Sequence, residues 1–131
     1  MNSYFQKVKD YLLELDFNIE QEDEEEGVFV VEKEEDGIKN VVLIVAEPIL
    51  IVEQFLFDLP KDSPDIYKQL LVKNRDIIHG AFALDDSGNK VLFRNTHECE
   101  NLDLNEIEAT LNSLALLLSE YSGELIAFSK N

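Results

Sequence analysis

An α+β fold, in which an antiparallel sheet of about five strands is packed by three helices, is what this chain of 131 residues predicts. Three observations carry the prediction. Apolar residues recur at helical spacing at both ends of the chain. Short apolar runs bounded by turn residues fill the middle. A proline-started helix then divides those runs into two groups, giving the order α-β-β-β-α-β-β-α in one domain over 1–131.

Tyr4, Val8, Tyr11, Leu12 and Leu15 give a first amphipathic helix to about Asp16. A strand is expected at Phe17-Asn18-Ile19. The run Glu20 to Glu26 that follows is too acidic to bury and reads as a solvated strand end or loop. Val28 to Glu32 is a strand, Asp36-Gly37 is a tight turn, and Val41 to Ala46 returns antiparallel. Glu47-Pro48 marks another reversal before Ile49 to Phe57.

Ser63-Pro64-Asp65 combines a capping hydroxyl, a first-turn proline and a carboxylate at the positive dipole end. The helix it opens carries Ile66, Leu70, Leu71 and Ile77 and is expected to end near Ile78-His79-Gly80. A hairpin follows, Ala81 to Leu84 and Val91 to Phe93, around the turn residues Asp85 to Lys90. Asp103 can cap the last helix, with Glu106 placed to close a capping box. Leu104, Ile107, Leu111, Leu114, Leu118, Tyr121, Leu125 and Phe128 continue the helical spacing past Gly123, although a glycine there is also a natural stop.

A hydrophobic fraction of 45% supplies a core, while the net charge of −17 limits the partners. Such a chain is repelled by nucleic-acid phosphates and anionic lipid headgroups, so neither nucleic acid nor membrane is expected as a partner. Cys99 is alone, so no disulfide framework exists. The N-terminus lacks the basic-then-apolar order of a signal peptide, and the longest apolar runs are too short to cross a bilayer. A cytoplasmic, soluble protein of bacterial type is the expectation.

The apolar strand pair in VVLIVAEPILIVEQFLFDLP, the Ser63-Pro64 helix leading into LLVKNRDIIHGAFAL, and the final-helix opening ENLDLNE together resemble the YbjN-like and Tir-chaperone (CesT) group. They span most of residues 40 to 121. The resemblance implies the type III secretion chaperone fold and a small acidic cytoplasmic protein, often dimeric, that holds an extended client segment. It brings no catalytic residues with it. The function expected is a non-enzymatic protein-binding module holding a partner segment on an apolar sheet face. The alternative is a regulatory or structural homodimer with no client.

The strands suggest where a partner would sit. A sheet with one wet face alternates cleanly. In Val41 to Ala46, however, both parities are apolar, and in Ile49 to Leu59 both carry large side chains. With helices over one face, the other needs a self-partner, a client, or one of the chain's own helices. Ile49, Ile51, Phe55 and Phe57 are assigned to the core, which makes Leu50, Val52 and Leu56 the partner-binding candidates.

Other constellations are weaker. Glu20 to Glu26 lacks the alternate-ligand spacing of a calcium loop and reads as a solvated face, or else as a patch for a basic client. Thr96-His97-Glu98-Cys99-Glu100 offers too few ligands for structural zinc, and neighbouring carboxylates would raise the Cys99 thiol pKa. It reads as a loop with Cys99 partly buried. His79 is placed at a helix C-terminus. No catalytic residue, cofactor or metal site is assigned.

Overall fold

The computed structural model describes residues 3–61 and 64–130. Helix α1 (Ser3–Glu14) leads into β1 (Asn18–Asp23), β2 (Val28–Lys33), β3 (Ile38–Ala46) and β4 (Ile49–Asp58); α2 (Pro64–Lys73) precedes β5 (Ala81–Leu84) and β6 (Lys90–Glu98), and α3 (Leu104–Lys130) ends the chain. The strands form one antiparallel sheet in the order β1-β2-β3-β4-β6-β5. Six strands stand where about five were expected, because Asn18–Asp23 forms an edge strand in which Gln21, Glu22 and Asp23 pair with β2 beyond an irregularity at Glu20, despite the acidic run. The Ser63 cap lies outside the described residues.

All three helices lie on one face. Phe5 of α1 stacks on Phe29 of β2, Phe128 of α3 meets Phe57 of β4, and Phe82 of β5 meets Tyr121 of α3. Lys73 of α2 pairs with Glu124 of α3 and lies over the Tyr121 ring. Val31, Val41, Leu43, Leu50, Val52, Val91 and Phe93 complete this core at 0% exposure. Burying such a side chain contributes roughly 1.5–3 kcal/mol.

Several boundaries differ from the sequence reading. Helix α2 stops at Lys73 and tightens into a 3-10 turn over Asn74–Asp76. The turn orients the Asn74 amide, whose Oδ1 accepts from Phe82 N at 2.7 Å while its Nδ2 donates to Phe82 O at 3.3 Å. Asn74 therefore occupies part of the outer edge of β5, as a neighbouring strand would. Helix α3 runs through Gly123. Asp103 Oδ1 accepts from Glu106 N at 2.9 Å, but the Glu106 carboxylate turns to His97 Nδ1 at 3.5 Å instead of closing the box.

Gly27, in the β1–β2 turn, has φ +74, and its carbonyl accepts from Val45 N at 2.7 Å. A Cβ there would lie 2.5 Å from Val45 O, a backbone atom with no room to retreat. Gly27→Ala is expected to cost more than the roughly 1–2 kcal/mol of left-handed backbone alone, read as a fall in the urea midpoint at unchanged slope.

Candidate functional site

The strand parity is the reverse of the sequence assignment. Leu50 and Val52 are fully buried under the helices, while Ile49 and Ile51 lie on the opposite face and Phe55 is 47% exposed. The cause is a β-bulge at Leu56, where the β4–β6 register shifts between Phe55 and Phe57. The extra residue moves Phe57 back into the core, as expected for that residue, and leaves Leu56 partly buried against the core. Neither Leu50 nor Val52 is presented to a partner by the folded chain.

What the sheet does present follows from its register, since directly opposed residues in neighbouring strands share a face. One row across the helix-free face reads Asp23, Val28, Ile44, Ile51, Thr96; the next reads Gln21, Val30, Val42, Glu53, Arg94, Ala81. A third joins Phe55 to Leu92 and Ala83. Val28, Val30, Val42, Ile44, Ile49, Ile51 and Leu92 are all half-buried by their neighbours within the sheet, and none packs against the core. An apolar surface thus runs across β2, β3, β4 and β6 with no helix over it.

Its charges are placed asymmetrically. At the β4–β6 end, Arg94 Nη1 donates to Glu53 Oε2 at 2.7 Å; Lys90 Nζ donates to Asp58 Oδ1 at 2.7 Å and sits 5.1 Å from the Phe55 ring centroid. Both cations there are neutralised, and the Asp58 carboxylate holds the Lys90 ammonium pKa above its usual value. At the β1–β2 end, Glu20 and Glu32 stand side by side. Asn18 Nδ2 donates to Glu20 Oε1 at 2.7 Å and to Glu32 Oε1 at 3.3 Å. Hydrogen bonding and repulsion from Glu32 push the Glu20 carboxyl pKa up.

A smaller apolar groove of about 360 Å³ lies between α2 and the β5 edge. Tyr67, Leu71 and Leu84 line it and are 42%, 69% and 44% exposed.

The cluster around His97 is not a loop, because β6 extends to Glu98. His97 continues the inward parity of Val91 and Phe93, and its Nε2 lies 2.7 Å from Thr110 Oγ1 of α3, which also accepts from Asn95 Nδ2 at 2.7 Å. Glu106, His97 and Thr110 form a carboxylate–imidazole–hydroxyl chain of the kind that activates nucleophiles. Thr110 is 0% exposed, however, so its hydroxyl cannot meet a substrate, and the chain anchors α3 to β6. Cys99 is 1% exposed rather than partly buried, and burial, aided by the Glu47 charge, pushes its thiol pKa up. Among the described residues no three metal-ligating side chains come together, and no helix is long and apolar enough to cross a membrane.

The chain belongs to the CesT_Tir_1 family, whose model matches residues 1–131. Solved structures share its fold. The crystal structure of YbjN, a putative transcription regulator from E. coli, superposes with a TM-score of 0.64 at 7% identity, covering 91% of this chain and 91% of that chain. The Yersinia pestis type III secretion chaperone SycH, in complex with a stable fragment of YscM2, gives a TM-score of 0.59 at 19% identity over 97% of this chain and 100% of that chain. A chain of the heterodimeric ExoU–SpcU complex from the Pseudomonas aeruginosa type III secretion system gives 0.58 at 16% identity, covering 86% and 92%. No curated protein matches the chain.

Proposed function

We propose that this protein is a non-enzymatic, chaperone-like binding module that holds a segment of a partner protein on the helix-free sheet face. The observation that carries the reading is the continuous apolar surface over Val30, Val42, Ile44, Ile51, Phe55 and Leu92, opposite a core that the helices already fill. Covering it contributes about 25 cal/mol for each Å² of apolar surface removed from water. The SycH structure, with a YscM2 fragment bound to a chain of the same fold, supports the reading.

The test is photo-crosslinking in cells from position 51, with position 13 as control, since Leu13 is exposed on α1 away from the sheet face. The expected result is one adduct of defined mass from position 51 alone. An adduct whose mass is twice that of the chain assigns the face to a homodimer. Equal, heterogeneous labelling from both positions removes the sheet face from consideration.

A further inference from the structure

We infer that the partner segment is extended and basic at one end, with apolar residues over the β3–β4 centre of the open face and a Lys or Arg reaching the Glu20–Glu32 pair at the β1–β2 end. The inference rests on the partner-binding reading of that face and adds the chemistry and orientation of the occupant. Three features of the surface carry it.

The first is where cations are already present. Arg94 and Lys90, at the β4–β6 end, are each matched by a carboxylate on the neighbouring strand. A charged partner group therefore finds no demand there. The second is a carboxylate pair that no cation bridges. Among the described residues neither Glu20 nor Glu32 is in an ion pair; hydrogen bonds from Glu20 and Asn18 lower the Glu32 pKa, and Lys39 helps only as a nearby charge. Glu20 and Glu32 share one amide donor, that of Asn18, and two like charges so close repel each other. A guanidinium or ammonium between them would replace repulsion with attraction, and Arg would span both carboxylates with its fork of donors.

The third is distance and charge sign. Neighbouring strands lie about 4.8 Å apart, so Glu20 on β1 is about 14 Å from Ile51 on β4 across the sheet. Ile51 stands in register with Asp23, which adds about 10 Å along the strands, for a separation of about 17 Å, or about five residues of an extended chain. One short segment can therefore place an apolar anchor at Ile44 and Ile51 and a cation at the acidic end. A second copy of this chain fits less well, since it brings a net charge of −17 to the same acidic corner.

The probes are three labelled ten-residue peptides of alternating valine and threonine that end in an Arg pair, a Ser pair or a Glu pair. Binding to the full chain is followed by fluorescence anisotropy at low and at moderate salt. The Arg-ended peptide is expected to bind at least ~10-fold more tightly than the Ser-ended one at low salt, with the preference shrinking as salt rises. The double variant Glu20→Gln/Glu32→Gln should erase the preference and leave the Ser-ended peptide unchanged; both side chains lie near the surface and their repulsion is relieved, so the fold is retained. Ile51→Lys should weaken both peptides.

Equal binding of Arg-ended and Ser-ended peptides, with both still lost on Ile51→Lys, overturns the basic-end inference and leaves the partner-binding reading standing. A preference that survives the double variant also overturns it, because the charge is then read elsewhere. Binding indifferent to Ile51→Lys, or a sedimenting dimer that takes up no peptide, overturns both.

Discussion

Leu50→Ala is expected to lower the unfolding free energy by about 2–5 kcal/mol, whereas Ile51→Thr, one residue away, is expected to change it by less than about 1 kcal/mol in the isolated chain. Leu50 is 0% exposed beneath the helices, so truncation removes its burial and leaves a cavity in a packed core. Ile51 is flanked by Ile44 and Thr96 within the sheet and has no helix above it. Threonine keeps the β-branch that suits a strand. Urea unfolding of both variants measures the contrast directly. Were Ile51→Thr also to cost several kcal/mol, with a midpoint that depends on protein concentration, a second copy would cover the open face in solution.

That contrast separates what the sequence reveals from what it conceals. The doubly apolar parities of β3 and β4 announce that both faces of the sheet carry hydrophobic residues. They do not say which parity lies under the helices, because composition on the two sides is nearly equal. The deciding feature is one extra residue at Leu56, and nothing in Gln54-Phe55-Leu56-Phe57 distinguishes a bulge from regular alternation. With strict alternation, Phe57 in the core implies Phe55 and Ile51 in the core as well. The bulge breaks that implication.

Other elements were legible for physical reasons that held locally. Proline at the start of α2, the Asp85–Gly88 turn and the Asp103 cap act within a few residues of themselves, and Asp85 Oδ1 does accept from Ser87 Oγ at 2.8 Å and from Lys90 N at 3.2 Å. The strand expected at Phe17-Asn18-Ile19 extends to Asp23, so the first acidic residues are a solvated strand end; Ile19 packs against the core, and beyond it an edge strand open to water needs no burial. The Asn95–His97–Thr110 cluster left a readable trace. Asn95 and His97 continue the inward parity of Val91 and Phe93, while Thr110 adjoins Leu111 and follows Ile107 on the apolar stripe of α3. Polar residues in register with two facing apolar stripes are candidates for one buried network.

That network makes stability depend on pH, in a direction set by burial. Desolvation between β6 and α3 lowers the His97 pKa below its ordinary 6.5; the Glu106 charge pulls it upward but does not prevail, and His79 adds to the lowering. The folded state therefore prefers neutral imidazole. With the Nδ1 proton facing the Glu106 carboxylate, Nε2 accepts the Thr110 hydroxyl. A depressed folded pKa means that the contribution of His97 is complete above 6.5 and is lost as pH falls below it, because the unfolded chain takes up the proton first. The loss approaches but does not exceed ~1.4 kcal/mol per pH unit, and it levels off once the folded state is protonated as well. Over the same range, growing protonation of carboxylates relieves the repulsion of a chain at −17 and acts in the opposite direction. The difference between wild type and His97→Gln isolates the imidazole, since both carry the same carboxylates and His79. Urea unfolding at pH 7.5, 6.5 and 5.5 should show the wild type losing stability relative to the variant between 6.5 and 5.5, with parallel behaviour above. Parallel curves throughout would mean that His97 titrates alike folded and unfolded, and that its contact with Thr110 survives protonation, with the hydroxyl accepting where it had donated.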